Sequence, residues 1–170
     1  MSKAVFLDRD GTINIDKGYL YRISDFEFLP GAVDALRMLQ EAGYLLIIIT
    51  NQSGIGRGYY TEEDFMILNE YMKSELLKMG VKISGVYYCP HLPDAEVERY
   101  RKVCTCRKPS LGLFEQAVHD FGIDLSQSYA IGDKERDIAI CSGSNCRGFL
   151  IGRDVESLHE AAEIITGVHR

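Results

Sequence analysis

The chain alternates between two hydrophobic periodicities. Residues 4–7 form an uninterrupted apolar run ending on Asp8, and residues 44–49 form a longer, isoleucine-rich run ending on Thr50-Asn51. Continuous runs of this length suit parallel strands covered on both faces. Residues 86–88, 129–131 and 149–151 are shorter runs of the same kind. Between the runs the apolar spacing changes to three and four. Val33, Leu36 and Leu39 share one face of a predicted helix over 32–42, with Gly43 at its stop. Thr61-Glu62-Glu63-Asp64 predicts a capping box, and Phe65, Leu68, Met72, Leu76 and Met79 carry the helix to Gly80. Phe114, Ala117, Val118 and Phe121 mark a helix over 111–121, and a short helix is expected from Glu135. Asp154 stands where it can cap a last helix carrying Leu158, Ala161, Ala162 and Ile165.

Strands alternating with helices predict an α/β fold, a three-layer doubly wound sandwich with a mainly parallel sheet. There is no linker, repeat or low-complexity segment, so residues 1–170 are read as a single domain. No insertion is large enough to form a bulky cap, which predicts an open site.

Ligands of such sheets gather at the carboxyl ends of the strands. Here the first strand runs into Asp8-Arg9-Asp10-Gly11-Thr12, the second into Thr50-Asn51, and the fourth into Gly132-Asp133-Lys134. Lys108 closes the polar connection 89–110, ahead of a helix. One carboxylate of this set can attack, another can handle protons, and carboxylates together can hold a hard divalent cation. Arg57 reads as a solvated loop arginine and is left outside the site.

The polar connection carries a second constellation. Cys89 and His91 stand one residue apart, as do Cys104 and Cys106, and residues 92–103 separate the pairs. Three thiols and an imidazole fit a tetrahedral structural zinc site with all four positions filled. The loop over about 89–108 is rich in charge, with Glu96, Glu98, Arg99, Arg101 and Lys102, so little apolar surface is expected to order it. Zinc would pin it and deliver Arg107 and Lys108 to the mouth of the site. Cys141 and Cys146 show no such pattern and are expected to be buried or neutral.

Composition narrows the function. With 46% hydrophobic and 26% charged residues, the chain is ordinary for one globular domain. No run approaches the roughly 20 apolar residues a membrane helix needs. The N-terminus passes directly into strand-like sequence, leaving no room for a signal peptide, so a cytoplasmic location is expected. A net charge of -6 argues against a nucleic-acid partner, though local basic groups can still draw in a small anion. No apolar stripe is left over for a partner chain, which predicts a monomer.

Asp8-Arg9-Asp10-Gly11-Thr12, Thr50, Lys108 and Gly132-Asp133, in this order and strand context, resemble the four motifs of the haloacid dehalogenase (HAD) superfamily of phosphohydrolases. The resemblance spans nearly the whole chain. It implies a magnesium-dependent phosphomonoesterase on a HAD-like Rossmannoid fold with a minimal cap. Asp8 would be the nucleophile that becomes a phosphoaspartate, and Asp10 the general acid and base. Magnesium would bridge Asp8, the main-chain carbonyl of Asp10, and Asp133. Thr50 and the Asn51 amide would bind phosphate oxygens, Lys108 would balance their charge, and Asp137 could support the site or be a surface acid.

Cys-x-His followed by Cys-x-Cys-Arg-Lys-Pro is similar to a branch holding heptose bisphosphate phosphatases and histidinol-phosphate phosphatases. Thr50-Asn51-Gln52-Ser53-Gly54-Ile55-Gly56-Arg57-Gly58, Lys134 and the length of the cysteine loop resemble the heptose group. So does Asp16-Lys17-Gly18-Tyr19, although Lys17 and Leu92 replace histidines usual in that group. The expected reaction is removal of the 7-phosphate of D-glycero-D-manno-heptose 1,7-bisphosphate, feeding nucleotide-activated heptose synthesis for the cell surface. Histidinol-phosphate hydrolysis is the alternative, and a non-catalytic phosphate-binding module a distant one. For the sugar and its second phosphate the expected contacts are Asp16, Lys17, Gly18, Tyr19, Asn51, Gln52, Ser53, Arg107 and Lys134.

Overall fold

The apolar runs pair edge to edge. A computed structural model describes residues 1–168 and contains one five-stranded sheet. Its strands are β1 (Ala4–Leu7), β2 (Leu45–Asn51), β3 (Gly85–Cys89), β4 (Tyr129–Gly132) and β5 (Arg147–Leu150). All pairings are parallel, in the order β3-β2-β1-β4-β5. Five helices accompany them: α1 (Ala32–Glu41), α2 (Ser53–Gly56), α3 (Glu62–Lys78), α4 (Gly112–Phe121) and α5 (Leu158–Thr166).

Alternate residues of the central strands feed two cores. Val5, Leu7, Leu46 and Ile48 pack with Ala35, Leu36 and Leu39 of α1, Ala161 and Ala162 of α5, and Met72 and Leu76 of α3. Ala4, Phe6, Ile47 and Ile49 face the other way, onto Leu113, Phe114 and Ala117 of α4. The Phe6 and Phe114 rings meet edge to face at 5.5 Å. Both faces of β1 are therefore dry, which is why its sequence is apolar at every position rather than at every second one. Truncating a buried side chain here, such as Leu36 to alanine, should cost about 3 kcal/mol.

The helix signals hold with small shifts. The capping box of α3 forms: the Asp64 N–H donates to Thr61 Oγ1 at 3.0 Å and the Thr61 N–H to Asp64 Oδ2 at 2.9 Å. The last helix starts later than expected. Ser157 caps α5 by accepting from the Glu160 N–H at 3.1 Å. Asp154 instead accepts from the Leu150 N–H at 2.8 Å and pairs with Arg153. Its carboxylate thus closes the end of β5, a task that competes with capping. The strand expected at 149–151 is Arg147–Leu150, set by its register against β4, where Phe149 opposes Ile131.

The cysteine loop also differs from expectation. Leu92, Ala95 and Tyr100 are buried against Ile55, Tyr60 and Phe65 in a third, smaller core. The loop therefore has apolar anchorage of its own, and Leu92 serves it as a core residue. Cys146 is buried and Cys141 half-buried, behind the sheet face that packs on α4. Among the described residues no helix is long and apolar enough to cross a membrane.

Candidate active site and metal centres

Leu7 lies opposite Ile48 of β2 on one side and Ile131 of β4 on the other. This register brings the ends of three strands level, so Asp8, Thr50 and Asp133 line one cavity of about 330 Å³. Lys108 enters the same space from the cysteine loop. Its segment is latched to β2 by Asn51, whose Oδ1 accepts from the Lys108 N–H at 2.9 Å and whose Nδ2 donates to the Lys108 carbonyl at 3.1 Å. The Asn51 side chain is thus spent on positioning Lys108.

Lys108 Nζ distributes its three donors among Asp8 Oδ1 (3.2 Å), Asp137 Oδ1 (2.7 Å) and the Ile49 carbonyl (2.6 Å). A buried ammonium with every proton placed is a fixed positive charge beside the nucleophile. Asp137 is 3% exposed, which settles its two readings in favour of support. Its other oxygen accepts from the Lys134 N–H at 3.0 Å. Gly132 is required next to it, because a Cβ there would lie 2.2 Å from Asp137 Cβ.

Burial pushes the Asp8 carboxyl up to about 7; Lys108 opposes this, while Asp137, Asp10 and Asp133 add to it. Asp133 is also raised, by burial and then by Asp137. Oxygens of Asp8, Asp133 and Asp137 lie within 4.8 Å of one another, and Asp133 Oδ1 is buried with no hydrogen-bond partner. Crowded carboxylates with an orphaned oxygen fit a hard divalent cation, which would take the orphan and lower both raised carboxyls. Gly11, at φ 87°, keeps the space open: a Cβ there would lie 2.4 Å from Asp133 Oδ2.

Asp10 is held in a cage of donors. Arg9, 1% exposed, straddles its carboxylate, with Nη2 at 2.9 Å from Oδ2 and 3.1 Å from Oδ1. Asn14 donates to Oδ1 at 2.8 Å and Gln52 to Oδ2 at 3.2 Å. Gln52 also donates to Thr50 Oγ1 at 2.9 Å and accepts from the Tyr60 hydroxyl in a very short contact. Gln52 is 2% exposed, so it orients Asp10 and Thr50 from beneath the cavity.

The mouth is lined by Asp16, Gly18, Tyr19, Ser53, Arg107 and Lys134, as expected from the sequence, and also by Arg57 and Arg136. Lys17 is not among the lining residues; its ammonium sits 3.6 Å from Glu27 on the surface. Arg9, Asn14, Tyr60 and Arg57 were not legible as site residues. Arg9 had one available signal, an arginine between two strand-end acids. Arg57 follows directly on the four-residue helix α2, which has no apolar periodicity to reveal it.

The second constellation assembles as well. Nδ1 of His91 lies 3.5 Å from Cys89 Sγ and 3.3 Å from Cys106 Sγ, and Cys104 Sγ lies 3.6 Å from Cys89 Sγ. All four donor atoms fall within 4.8 Å of one another. Burial, then Lys102, holds the His91 imidazole below its ordinary value, in the neutral form that can ligate. Three sulfurs and one nitrogen at this spacing fit zinc and leave no position for catalysis.

A HAD-hydrolase-like family model matches residues 105–169. The D-glycero-beta-D-manno-heptose-1,7-bisphosphate 7-phosphatase of Haemophilus ducreyi is 53% identical over 137 residues, covering 80% of this chain and 75% of the relative. The enzyme of the same name from Escherichia coli K12 is 47% identical over 142 residues, covering 84% and 74%. The crystal structure of D,D-heptose 1.7-bisphosphate phosphatase from B. bronchiseptica, complexed with magnesium and phosphate, superposes with a TM-score of 0.82 at 27% identity, over 98% of this chain and 99% of that one.

Proposed function

This chain belongs to the D-glycero-beta-D-manno-heptose-1,7-bisphosphate 7-phosphatase family of HAD-like hydrolases, and we propose from that membership and from the site how its residues divide the work. The reaction is hydrolysis of the 7-phosphate of the heptose bisphosphate, leaving heptose 1-phosphate and inorganic phosphate. The observation that carries the residue assignment is Asp8 held between the fixed ammonium of Lys108 and the orphaned oxygen of Asp133, at the floor of a cavity rimmed with arginine and lysine.

Asp8 attacks phosphorus, its oxygen forming a bond as the bond to the sugar oxygen breaks. Asp10 gives that oxygen a proton, then takes one from the water that cleaves the phosphoaspartate. To do so it exchanges some of its hydrogen bonds from Arg9, Asn14 and Gln52 for contacts with substrate. Thr50 and the Asn51 amide receive phosphate oxygens, and Lys108 offsets their charge. Asp8, Asp133 and the Asp10 carbonyl would hold magnesium, which neutralises the approach of one anion to another. Cys89, His91, Cys104 and Cys106 would hold zinc and fix the strand of chain that delivers Arg107 and Lys108. Arg107 and Lys134, with Asp16, Gly18, Tyr19 and Ser53, face the sugar and its second phosphate. A single domain working as a cytoplasmic monomer on a small metabolite, without nucleic acid or membrane, is consistent with this arrangement.

The test is phosphate release with magnesium from a panel: both anomers of heptose 1,7-bisphosphate, histidinol phosphate and fructose 1,6-bisphosphate, with Asp8→Asn as control. The β anomer, named for the curated relatives, is expected to lead histidinol phosphate by about a hundredfold in kcat/KM, or about 2.7 kcal/mol of transition-state binding. A lead for histidinol phosphate would overturn the substrate while leaving the nucleophile in place.

A further inference from the structure

The charges inside the cavity divide into those already satisfied and those still waiting. Lys108 has no donor left for a second anion, because its three protons go to Asp8, Asp137 and the Ile49 carbonyl. Arg57 is in the opposite condition. Its Nε is buried without a hydrogen-bond partner, and it forms no ion pair among the described residues. Nη1 of Arg107 is likewise buried and unpartnered, and both arginines line the cavity. An unmet buried N–H costs about 1–3 kcal/mol, so two on one cavity point to a ligand that supplies acceptors.

The guanidinium of Arg57 is also held in place from one side. Its carbon lies 5.6 Å from the centre of the Tyr19 ring. Tyr19 has φ 51°, a left-handed conformation uncommon outside glycine, and Asp16 fixes the turn before it by accepting from the Gly18 N–H at 3.0 Å. The Tyr19 ring rests edge-on against Tyr59 at 4.8 Å and packs over Gly54, where a Cβ would come within 3.1 Å of it. A planar cation already resting over an aromatic ring loses less freedom when it grips an oxyanion with two parallel N–H groups.

Accepting the bisphosphate reading above, we propose that Arg57, propped by Tyr19, is a specificity-determining residue that binds the phosphate the enzyme leaves on the sugar, with Arg107 lining the same cavity. Arg57 then tells a bisphosphate from a monophosphate.

Steady-state kinetics on heptose 1,7-bisphosphate and on heptose 7-phosphate, for wild type, Arg57→Gln and Arg57→Lys, test this. R57Q should lower the bisphosphate-over-monophosphate preference in kcat/KM about tenfold or more, mainly through KM, and R57K should restore part of it, having charge without the two-pronged fork. The proposal is overturned if R57Q keeps the wild-type preference, including the case where both substrates lose activity in parallel, as a purely structural role requires. Should R57Q fail to fold, as judged by its melting temperature, R57K carries the test: an undiminished preference in R57K with normal melting is equally fatal. A wild type that prefers bisphosphate while R57Q does too sinks the Arg57 assignment alone; a wild type with no preference sinks the substrate reading together with it.

Discussion

Asp137 accepts a hydrogen bond from Lys108 Nζ at 2.7 Å, with both side chains 1% exposed. Both side chains are shielded from solvent, so removing Lys108 strips Asp137 of its ion-pair partner, and removing Asp137 leaves Lys108 with Asp8 alone as its counter-charge. Asp137→Ala should cost about 3–5 kcal/mol in denaturant unfolding. Asp137→Asn keeps the shape but removes the counter-charge, and should lower kcat by about tenfold or more with a smaller change in KM. Equal unfolding midpoints for wild type and D137A would refute the coupling.

Asp8 makes a prediction about pH. Its folded carboxyl titrates near 7, above its ordinary value of 3.8, because it is buried among other acids. A raised carboxyl contributes stability that is complete below the unfolded value and is lost as pH climbs through the folded one. Without magnesium, the protein should therefore lose melting temperature between about pH 4 and 7 in a manner that Asp8→Asn abolishes. Added magnesium should stabilise wild type more at pH 8 than at pH 5, since protons and the cation compete for the same oxygens. Thermal melts of both proteins across that range, with and without magnesium, decide it; identical slopes would show that Asp8 is not the strained group.

The cysteine cluster predicts one bound zinc per chain. Cys104→Ser should abolish stoichiometric zinc by elemental analysis and lower the melting temperature. It should also cut kcat/KM by about tenfold or more, because Arg107 and Lys108 follow directly on Cys106, a proposed ligand. The third core, around Leu92, Ala95 and Tyr100, should keep part of the loop docked. The loss is therefore expected to be local rather than a global unfolding. Full zinc occupancy in the serine variant would refute the ligand set.

Legibility followed the range of the interaction that fixes each residue. Asp8, Thr50 and Asp133 could be placed because apolar strand runs end on them and the fold puts ligands there. The clustering of Cys89, His91, Cys104 and Cys106 could be foreseen because their pairs are local in sequence. Arg9 could not, since its burial depends on Asp10 beside it and on the Phe65 ring, 5.6 Å from its guanidinium carbon, neither of which has a periodic signature. Asp154 and Ser157 are both good caps, and the choice between them was made by Leu150, whose N–H takes Asp154 first. Lys17 carries the right charge in the right segment, yet the chain turn between Asp16 and Gly18 sends it to Glu27.

The central position of β1 has a consequence for the chain as it is made. β1 appears first but needs β4 on one flank, and the Ala4 N–H waits for Ser128 Oγ, 124 residues away. Lys108 reaches Asp8 across 100 residues. During synthesis, which proceeds from the N-terminus at about 5–20 residues per second, Asp8, the proposed nucleophile, exists for several seconds with neither Lys108 nor Asp133 beside it. On the proposed assignment the growing chain lacks a complete site until its last third has left the ribosome, and the site comes together with the closing of the sheet.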